Sequence, residues 1–378
     1  MDIETLTLLK SAVRRLVDDV LIPAEAEADA LSRTPPSVHQ AMRELGLFGL
    51  TVPEAFGGLG LNASAETQVI AELCRASPGF RSLIGTTVGV GGKSIALDGT
   101  NDQKSEWLPQ IAAGDVIVSF CLTEPDSGSD AGSLRTRARK DGGDYIIDGE
   151  KRFISNAPIA GLFVVMARTD PSTSGGRGVS AFLVPANTPG IQVSPPLRKM
   201  GQKGALVADV MFDSCRVPSS AVLGGVEGKG FRTAMKALDD GRLHIAAVAL
   251  GLGRRLVEET VRYAKDRKQF GQAIADFQLI QAMLADSETD LIAADAMIAA
   301  TAAKRDAGER VSREAAATKY FATEATWRIA DRAVQIHGGY GYLADYPVER
   351  LFRDARLLRL FEGTSQIMQV VIARDMLK

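Results

Sequence analysis

The spacing of apolar residues changes twice along this chain, and those two changes restrict the available folds more than any single motif does. In the first third, Leu6, Leu9, Val13, Leu16 and Val20 recur at three- and four-residue steps, and Ala65 to Leu73 keeps a comparable spacing, so helices are expected. Gly46, Gly49, Pro53 and the run Phe56-Gly57-Gly58-Leu59-Gly60 interrupt that pattern where the backbone must turn. From about Val116 the pattern becomes short β-prone runs, Val116 to Leu122, Tyr145 to Asp148, Leu162 to Ala167, Val179 to Val184 and Val207 to Phe212. The Ser-, Gly- and Pro-rich stretch Thr169 to Gly178 reads as an exposed loop among them.

After Gly230 the helical spacing returns. Ile280, Leu284, Ser287, Leu291, Ala294 and Ile298 form one stripe, and Tyr320, Thr323, Trp327, Ala330 and Val334 form another. Stripes of this kind suit a four-helix bundle, and packing alone accounts for them. The expectation is an α+β chain, mainly α: an N-terminal helical domain over residues 1–115, a central β-barrel or sandwich over 116–225, and a C-terminal four-helix bundle over 226–378. With 378 residues, 46% of them hydrophobic, the chain is long enough for two or three such units.

Several classes of function lose support on composition. A formal net charge of −2 leaves no basic excess for nucleic acid. Cys74, Cys121 and Cys215 stand far apart without CxxC spacing, so they read as reduced thiols of a cytoplasmic protein and not as a disulfide framework or a zinc site. The start Met-Asp-Ile-Glu lacks the features of a signal or transit peptide, and no apolar run is suited to spanning a membrane. No GxGxxG follows a strand and no GxxxxGK[ST] occurs, which removes the Rossmann and P-loop readings. His39, His244 and His337 are scattered without an HExxH pair, so no metal site is expected.

Two segments have the composition of a reactive site. Phe361-Glu362-Gly363-Thr364-Ser365 sets a carboxylate between an aromatic ring and a glycine, just before a helical segment. Partial desolvation there would raise its pKa and suit it to general-base work, while a favourable charge at a helix start is an equally natural reading. Thr123-Glu124-Pro125-Asp126-Ser127-Gly128-Ser129-Asp130 offers hydroxyls and backbone N–H groups to a polar ligand, or else forms a turn bonded to its own backbone. Asp239, Arg242, Arg267 and Arg374 are candidates for phosphate contacts or simply surface charges.

At these residues the chain resembles the acyl-CoA dehydrogenase family over essentially its whole length. The resemblance rests on Cys121-Leu122-Thr123-Glu124-Pro125-Asp126-Ser127-Gly128-Ser129-Asp130, on Arg267-Lys268-Gln269-Phe270-Gly271, and on Gln335-Ile336-His337-Gly338-Gly339-Tyr340-Gly341 with Arg353-Asp354-Ala355 and Phe361 through Gln366. It implies FAD as cofactor, an acyl-CoA substrate, an electron-transfer flavoprotein as acceptor and a homotetramer whose bundle domains complete a neighbour's FAD site. Phe120, Leu122, Thr123, Phe153 and Ser155 would then border the flavin ring. The family commonly has Trp where this chain has Phe153, so the aromatic face is kept and the indole N–H lost. Arg267, Gln269 and Phe270, with Gln335 and Gly339 from another subunit, would hold the pyrophosphate and adenosine, and Gln278, Thr364 and Gln366 would complete the cofactor site. Ser129, Asp239, Arg242, Gly363 and Arg374 match substrate-contacting positions.

The resemblance gives Glu362 the role of α-proton base. The family's alternative base position, one residue before the first bundle-helix arginine, is Gly241 here. Pro78-Gly79-Phe80-Arg81-Ser82 is similar to the glutaryl-CoA dehydrogenase segment whose arginine meets a distal substrate carboxylate, so a short-chain or dicarboxylyl-CoA is expected; pairing of Arg81 with a protein carboxylate is the competing reading. An acyl-CoA oxidase or flavin monooxygenase on the same scaffold, and a non-catalytic acyl-CoA-binding relative, are the alternatives.

Overall fold

The computed structural model describes all residues, 1–378. Six helices and two π-helical turns build the N-terminal part: α1 (Ile3–Leu16), α2 (Ile22–Leu31), α3 (Pro36–Glu44), α4 (Ala63–Leu73), α5 (Pro78–Thr86) and α6 (Lys93–Asp98), followed by a seventh helix, α7 (Asn101–Ala112). The π-helical turns, Val17–Leu21 and Thr87–Gly92, join α1 to α2 and α5 to α6 without a break in the helical path. Start signals match local chemistry: Asn62 caps α4 through Ala65 N–H, and Thr100 with Gln103 forms a capping box at α7. Val13 and Leu16 of the first stripe are buried, with Leu6, Leu9 and Val20 packed against the same core.

The middle segment is a curled seven-stranded sheet, β1 (Val118–Cys121), β2 (Arg137–Asp141), β3 (Asp144–Ser155), β4 (Leu162–Arg168), β5 (Val179–Pro185), β6 (Ile191–Val193) and β7 (Val207–Pro218). Its order is β1-β4-β2-β3-β7-β6, with β5 paired on β4. The two central runs, β4 and β5, are buried on both faces, which explains why they read as continuous apolar stretches. One face packs on the helices and the other encloses a separate core around Phe163, Phe182 and Phe212. Between Lys151 and Ile154 the β3–β7 register slips, so a bulge turns Phe153 out of the ladder.

The C-terminal part is a bundle of long helices, α8 (Gly230–Asp266), α9 (Gln278–Asp306) and α10 (Ser312–His337), with α11 (Pro347–Leu358) and α12 (Ser365–Met376) packed against them. A two-residue ribbon, β8 (Lys268–Gln269) and β9 (Gln272–Ala273), links α8 to α9. Ser287, Leu291, Ala294 and Ile298 of one stripe and Thr323 and Ala330 of the other are buried between helices. The architecture is thus the expected one: helical ends around a central β unit. No helix is long and apolar enough to cross a membrane.

Candidate active site

Glu362 lies in the turn between α11 and α12. Leu360 and Phe361 close the end of α11 by donating to Leu357 O, and Thr364 caps α12 by accepting from Ile367 N–H at 3.2 Å. The chain between these caps is too short to turn with ordinary dihedrals, so Glu362 has φ +51° and Gly363 φ +95°. A left-handed glutamate is uncommon and held only where its surroundings fix it. One anchor is Lys319, fully buried in α10, whose Nζ donates to Gly363 O at 2.7 Å. Burial pushes the Lys319 ammonium down to about 8 against the attraction of Glu362.

The Glu362 side chain is 15% exposed. Its Oε1 stands 3.7 Å from a terminal nitrogen of Arg81, whereas its Oε2 is buried with no hydrogen-bond partner. A Cβ on Gly241 would lie 2.3 Å from that Oε2, so the glycine of α8 leaves the space in which the carboxylate sits. The side chain therefore faces α5 and α8.

Arg81, on α5, is 5% exposed, and its partner within the chain is the Glu362 carboxylate. Its Nε donates to His244 Nε2 at 2.7 Å, and His244 Nδ1 lies 2.8 Å from Glu66 Oε1. Burial, then the Arg81 charge, hold the imidazole below its usual range, with Glu66 pulling the other way. Burial raises Glu66, but the His244 bond and the Lys93 and Arg81 charges outweigh it, so the carboxyl is held below its usual range. Sequence reasoning did not single out Glu66, His244 or Lys319. A histidine one turn after Gly241 in an apolar helix was the available signal; its partner stands 178 positions away.

The residues assigned to a flavin ring gather where the end of β1 and the loop after it meet the second half of β3. Thr123 O accepts from Arg152 N–H at 2.8 Å, which ties the loop after β1 to the β3 bulge. Ser119 Oγ donates to Ser155 O at 2.7 Å, joining Phe120's strand to Ser155. Phe153 has φ +59°, donates its N–H to Asp209 and leaves its ring 59% exposed. Leu122 is buried, and its carbonyl accepts from Lys151, whose ammonium is paired with Glu124 at 2.8 Å in full burial. Glu124 also accepts from the Arg135 and Thr136 amides. The turn expected from its composition is thus pinned by a buried ion pair.

A second group lies at the far end of α8. Arg267, Gln269 and Gly339 line a cavity of about 440 Å³ together with Tyr263, His337 and Tyr340. Arg267 forms no ion pair and rests over the Tyr340 ring at 5.1 Å. Its free guanidinium beside exposed glycine backbone is a donor set suited to pyrophosphate. Phe270 is 95% exposed with φ +52°, and Gln278 and Gln335 are exposed outside this lining. No residue of the flavin-ring group lines the cavity, so one chain does not bring the two halves of the cofactor set together in it.

Thr364 and Gln366 sit at the start of α12, close in sequence to the reactive turn. Asp239 accepts from Arg242 and from Ser312 Oγ, so these two α8 residues pair with each other on either side of Gly241, which faces Glu362. Ser129 and Arg374 are exposed, on the loop after β1 and near the end of α12.

Comparison with known proteins covers the whole chain. Models of the acyl-CoA dehydrogenase N-terminal, middle and C-terminal domains match residues 4–115, 119–215 and 228–377. A 3-(aryl)acrylate reductase of Clostridium sporogenes is 40% identical over 371 residues, 98% of each chain. The structure of butyryl-CoA dehydrogenase from Megasphaera elsdenii superposes with a TM-score of 0.96 at 32% identity, covering all of both chains. A glutaryl-coenzyme A dehydrogenase in complex with glutaryl-CoA gives 0.94 at 32%, over 100% of this chain and 97% of the other. The chain belongs to the acyl-CoA dehydrogenase family of FAD-dependent flavoproteins and is an oxidoreductase acting on acyl-CoA.

Proposed function

We propose that the protein interconverts an acyl-CoA and its trans-2-enoyl-CoA, with Glu362 as the base for the α-proton. The observation that carries this reading is the unpartnered, buried Oε2 of Glu362 in the space left by Gly241. In desaturation the α C–H bond breaks and its proton passes to Glu362, the β C–H bond breaks with its electron pair leaving as hydride, and the Cα–Cβ double bond forms. FAD supplies the hydride acceptor, its N5. An α-proton beside a thioester leaves only where enolate charge meets hydrogen-bond donors, and the backbone N–H of Glu362 is offered beside its own carboxylate. Protonated Glu362 returns a proton to Cα in the reverse direction, which fits the reductase name of the Clostridium sporogenes relative.

Phe120, Leu122, Thr123, Phe153 and Ser155 fit the ring of FAD, with Phe153 as its aromatic neighbour. Arg267, Gln269, Phe270, Gln278, Gln335 and Gly339 fit the pyrophosphate and adenosine of the cofactor on a neighbouring copy, because the two groups do not share a cavity within one chain. A homotetramer in which neighbouring copies complete each other's cofactor sites is part of this reading, with an electron-transfer flavoprotein as the redox partner. The acyl group is short or ends in a carboxylate: Arg81 commits Nε to His244 and turns one terminal nitrogen toward Glu362, leaving the other as a donor at the buried end of the site.

Anaerobic mixing of the yellow protein with butyryl-, glutaryl- and 3-phenylpropionyl-CoA tests the reading. Glu362→Gln keeps FAD and thioester binding and abolishes flavin bleaching; a variant that still bleaches removes Glu362 as the base. Bleaching by none of the three thioesters in the wild-type protein counts against the acyl range.

A further inference from the structure

Four charged or titratable side chains from four separate segments form one buried line. Glu66 on α4 meets His244 on α8, His244 meets Arg81 on α5, and Arg81 faces Glu362 in the turn before α12. Arginine Nε has a proton to give and no lone pair to offer, so at 2.7 Å His244 Nε2 must be the acceptor. The imidazole is thereby fixed as the neutral Nδ1–H tautomer, and Nδ1 donates to Glu66. The guanidinium is also confined from below: it lies across Gly85, where a Cβ would fall 2.4 Å from its central carbon.

We propose that His244 and Glu66 are positioning residues for the catalytic base, holding Arg81 so that its guanidinium faces Glu362 and keeps the carboxylate aimed. The proposal rests on Glu362 being the base. It assigns a function to two buried groups that the reaction itself does not use. Both Glu66 and Glu362 attract the Arg81 charge, the first across His244 and the second directly. The imidazole inserted on the Glu66 side takes up that acid through a neutral bridge and leaves the terminal nitrogens to Glu362.

Further charges surround this line, including Arg242 paired with Asp239 and Arg305 paired with Asp240. Lys93 stands near Glu66 while bridging to Asp240 at 3.3 Å, and Lys319 holds Gly363 on the Glu362 side with Arg242 nearby. Cys74, fully buried beside Arg81, is pushed by burial to about 12 and stays a neutral thiol. Moving Arg81 toward Glu66 leaves Glu362 with Lys319 as its remaining close cation.

The test is the pH dependence of anaerobic flavin bleaching by whichever of butyryl-, glutaryl- and 3-phenylpropionyl-CoA reacts fastest with the wild-type protein. His244→Leu removes the acceptor and frees Arg81 to turn to Glu66, so the acidic limb moves to higher pH by about one unit or more. His244→Gln keeps an acceptor for Arg81 Nε and restores the wild-type limb. Glu66→Gln removes a negative charge while keeping an acceptor for Nδ1–H, and the limb moves the opposite way, to lower pH. A role in packing alone gives no opposite shifts; unchanged limbs in both His244→Leu and Glu66→Gln overturn the proposal, and where His244→Leu does not fold, the sign of the Glu66→Gln shift decides. Bleaching that persists in Glu362→Gln overturns the base assignment itself and is distinguished from failure of the relay alone.

A readout independent of activity is the nitrogen-15 spectrum of the three histidines. The ring signal that is lost in His244→Gln and shifted in Glu66→Gln identifies His244, which stays a neutral Nδ1–H tautomer through the pH range in which an ordinary imidazole titrates. Protonation of that ring in this range overturns the tautomer on which the line depends.

Discussion

A Cβ on Gly241 would lie 2.3 Å from Oε2 of Glu362 and 3.4 Å from its Cδ, so the carboxylate occupies the space that a side-chain methyl would take at this position of the helix. Alanine at this position meets the far end of a flexible side chain and not backbone. The fold accommodates it, and the interior of α8 gains up to about 1 kcal/mol of helix propensity. The carboxylate, however, must move by about an ångström. Gly241→Ala is therefore expected to hold or raise the melting temperature while slowing flavin bleaching by about 100-fold. Stopped-flow rates and thermal melts on the same preparation check both halves.

The loop that carries Leu122 and Thr123 depends on a charge pair with no solvent access. Lys151→Met leaves Glu124 with its two backbone donors and no cation, in a place where burial already raises its carboxyl and the Lys151 charge holds it down. Stranding one member of such a pair costs about 3–5 kcal/mol, whereas neutralising both costs far less. Urea titrations should show that loss for Lys151→Met and recovery of most of it in Lys151→Met with Glu124→Gln.

Much of this arrangement was open to reading from the residues. The helical stripes of α9 and α10 and the apolar runs of β4 and β5 reached the architecture because burial enforces their periods. Two strands escaped notice for the opposite reason: Arg137–Asp141 is almost entirely exposed and charged, and Ile191–Val193 is three residues long. Glu362 was marked by its turn composition and by the family motif. The line behind it was not legible, because Glu66, Arg81 and His244 meet only after α4, α5 and α8 pack, and a buried histidine by itself does not say what it bonds. Arg81 shows the same limit in reverse. Its segment left a ligand anion and a protein carboxylate both open, and the folded chain places the Glu362 carboxylate 3.7 Å from it.

Asp354 ties the three segments of the chain together. Its carboxylate accepts from Ser77 Oγ at 2.6 Å and from the Gln202 amide, and Gln202 Nε2 donates to Asp354 O at 3.1 Å. Burial pushes the group up to about 6, with those hydrogen bonds working against the rise. A folded pKa above the unfolded value means that the native state binds the extra proton between about pH 4 and 6. Stability from this group is full below that window and is lost as pH rises through it. Relative to Asp354→Asn, the wild-type protein should lose on the order of 3 kcal/mol across the window, and differential melts at pH 4.5 and 7 measure it.

Arg267 gives the clearest test of where the cofactor's phosphates lie. Its guanidinium has no carboxylate partner and rests on Tyr340 at the mouth of the cavity shared with Gln269 and Gly339. An unpaired arginine held over an aromatic face is prepared for an anion without first breaking an ion pair. One charge-assisted bidentate contact contributes roughly 1.5–3 kcal/mol. Arg267→Ala is thus expected to weaken FAD retention by about 10- to 100-fold, while Arg267→Lys, which keeps the charge and loses the planar fork, falls between. Because the flavin-ring residues do not line this cavity, the loss should coincide with a fall in oligomer size on gel filtration once FAD is removed, if the phosphates bridge two copies. Flavin content that survives dialysis unchanged in Arg267→Ala would place the phosphates elsewhere.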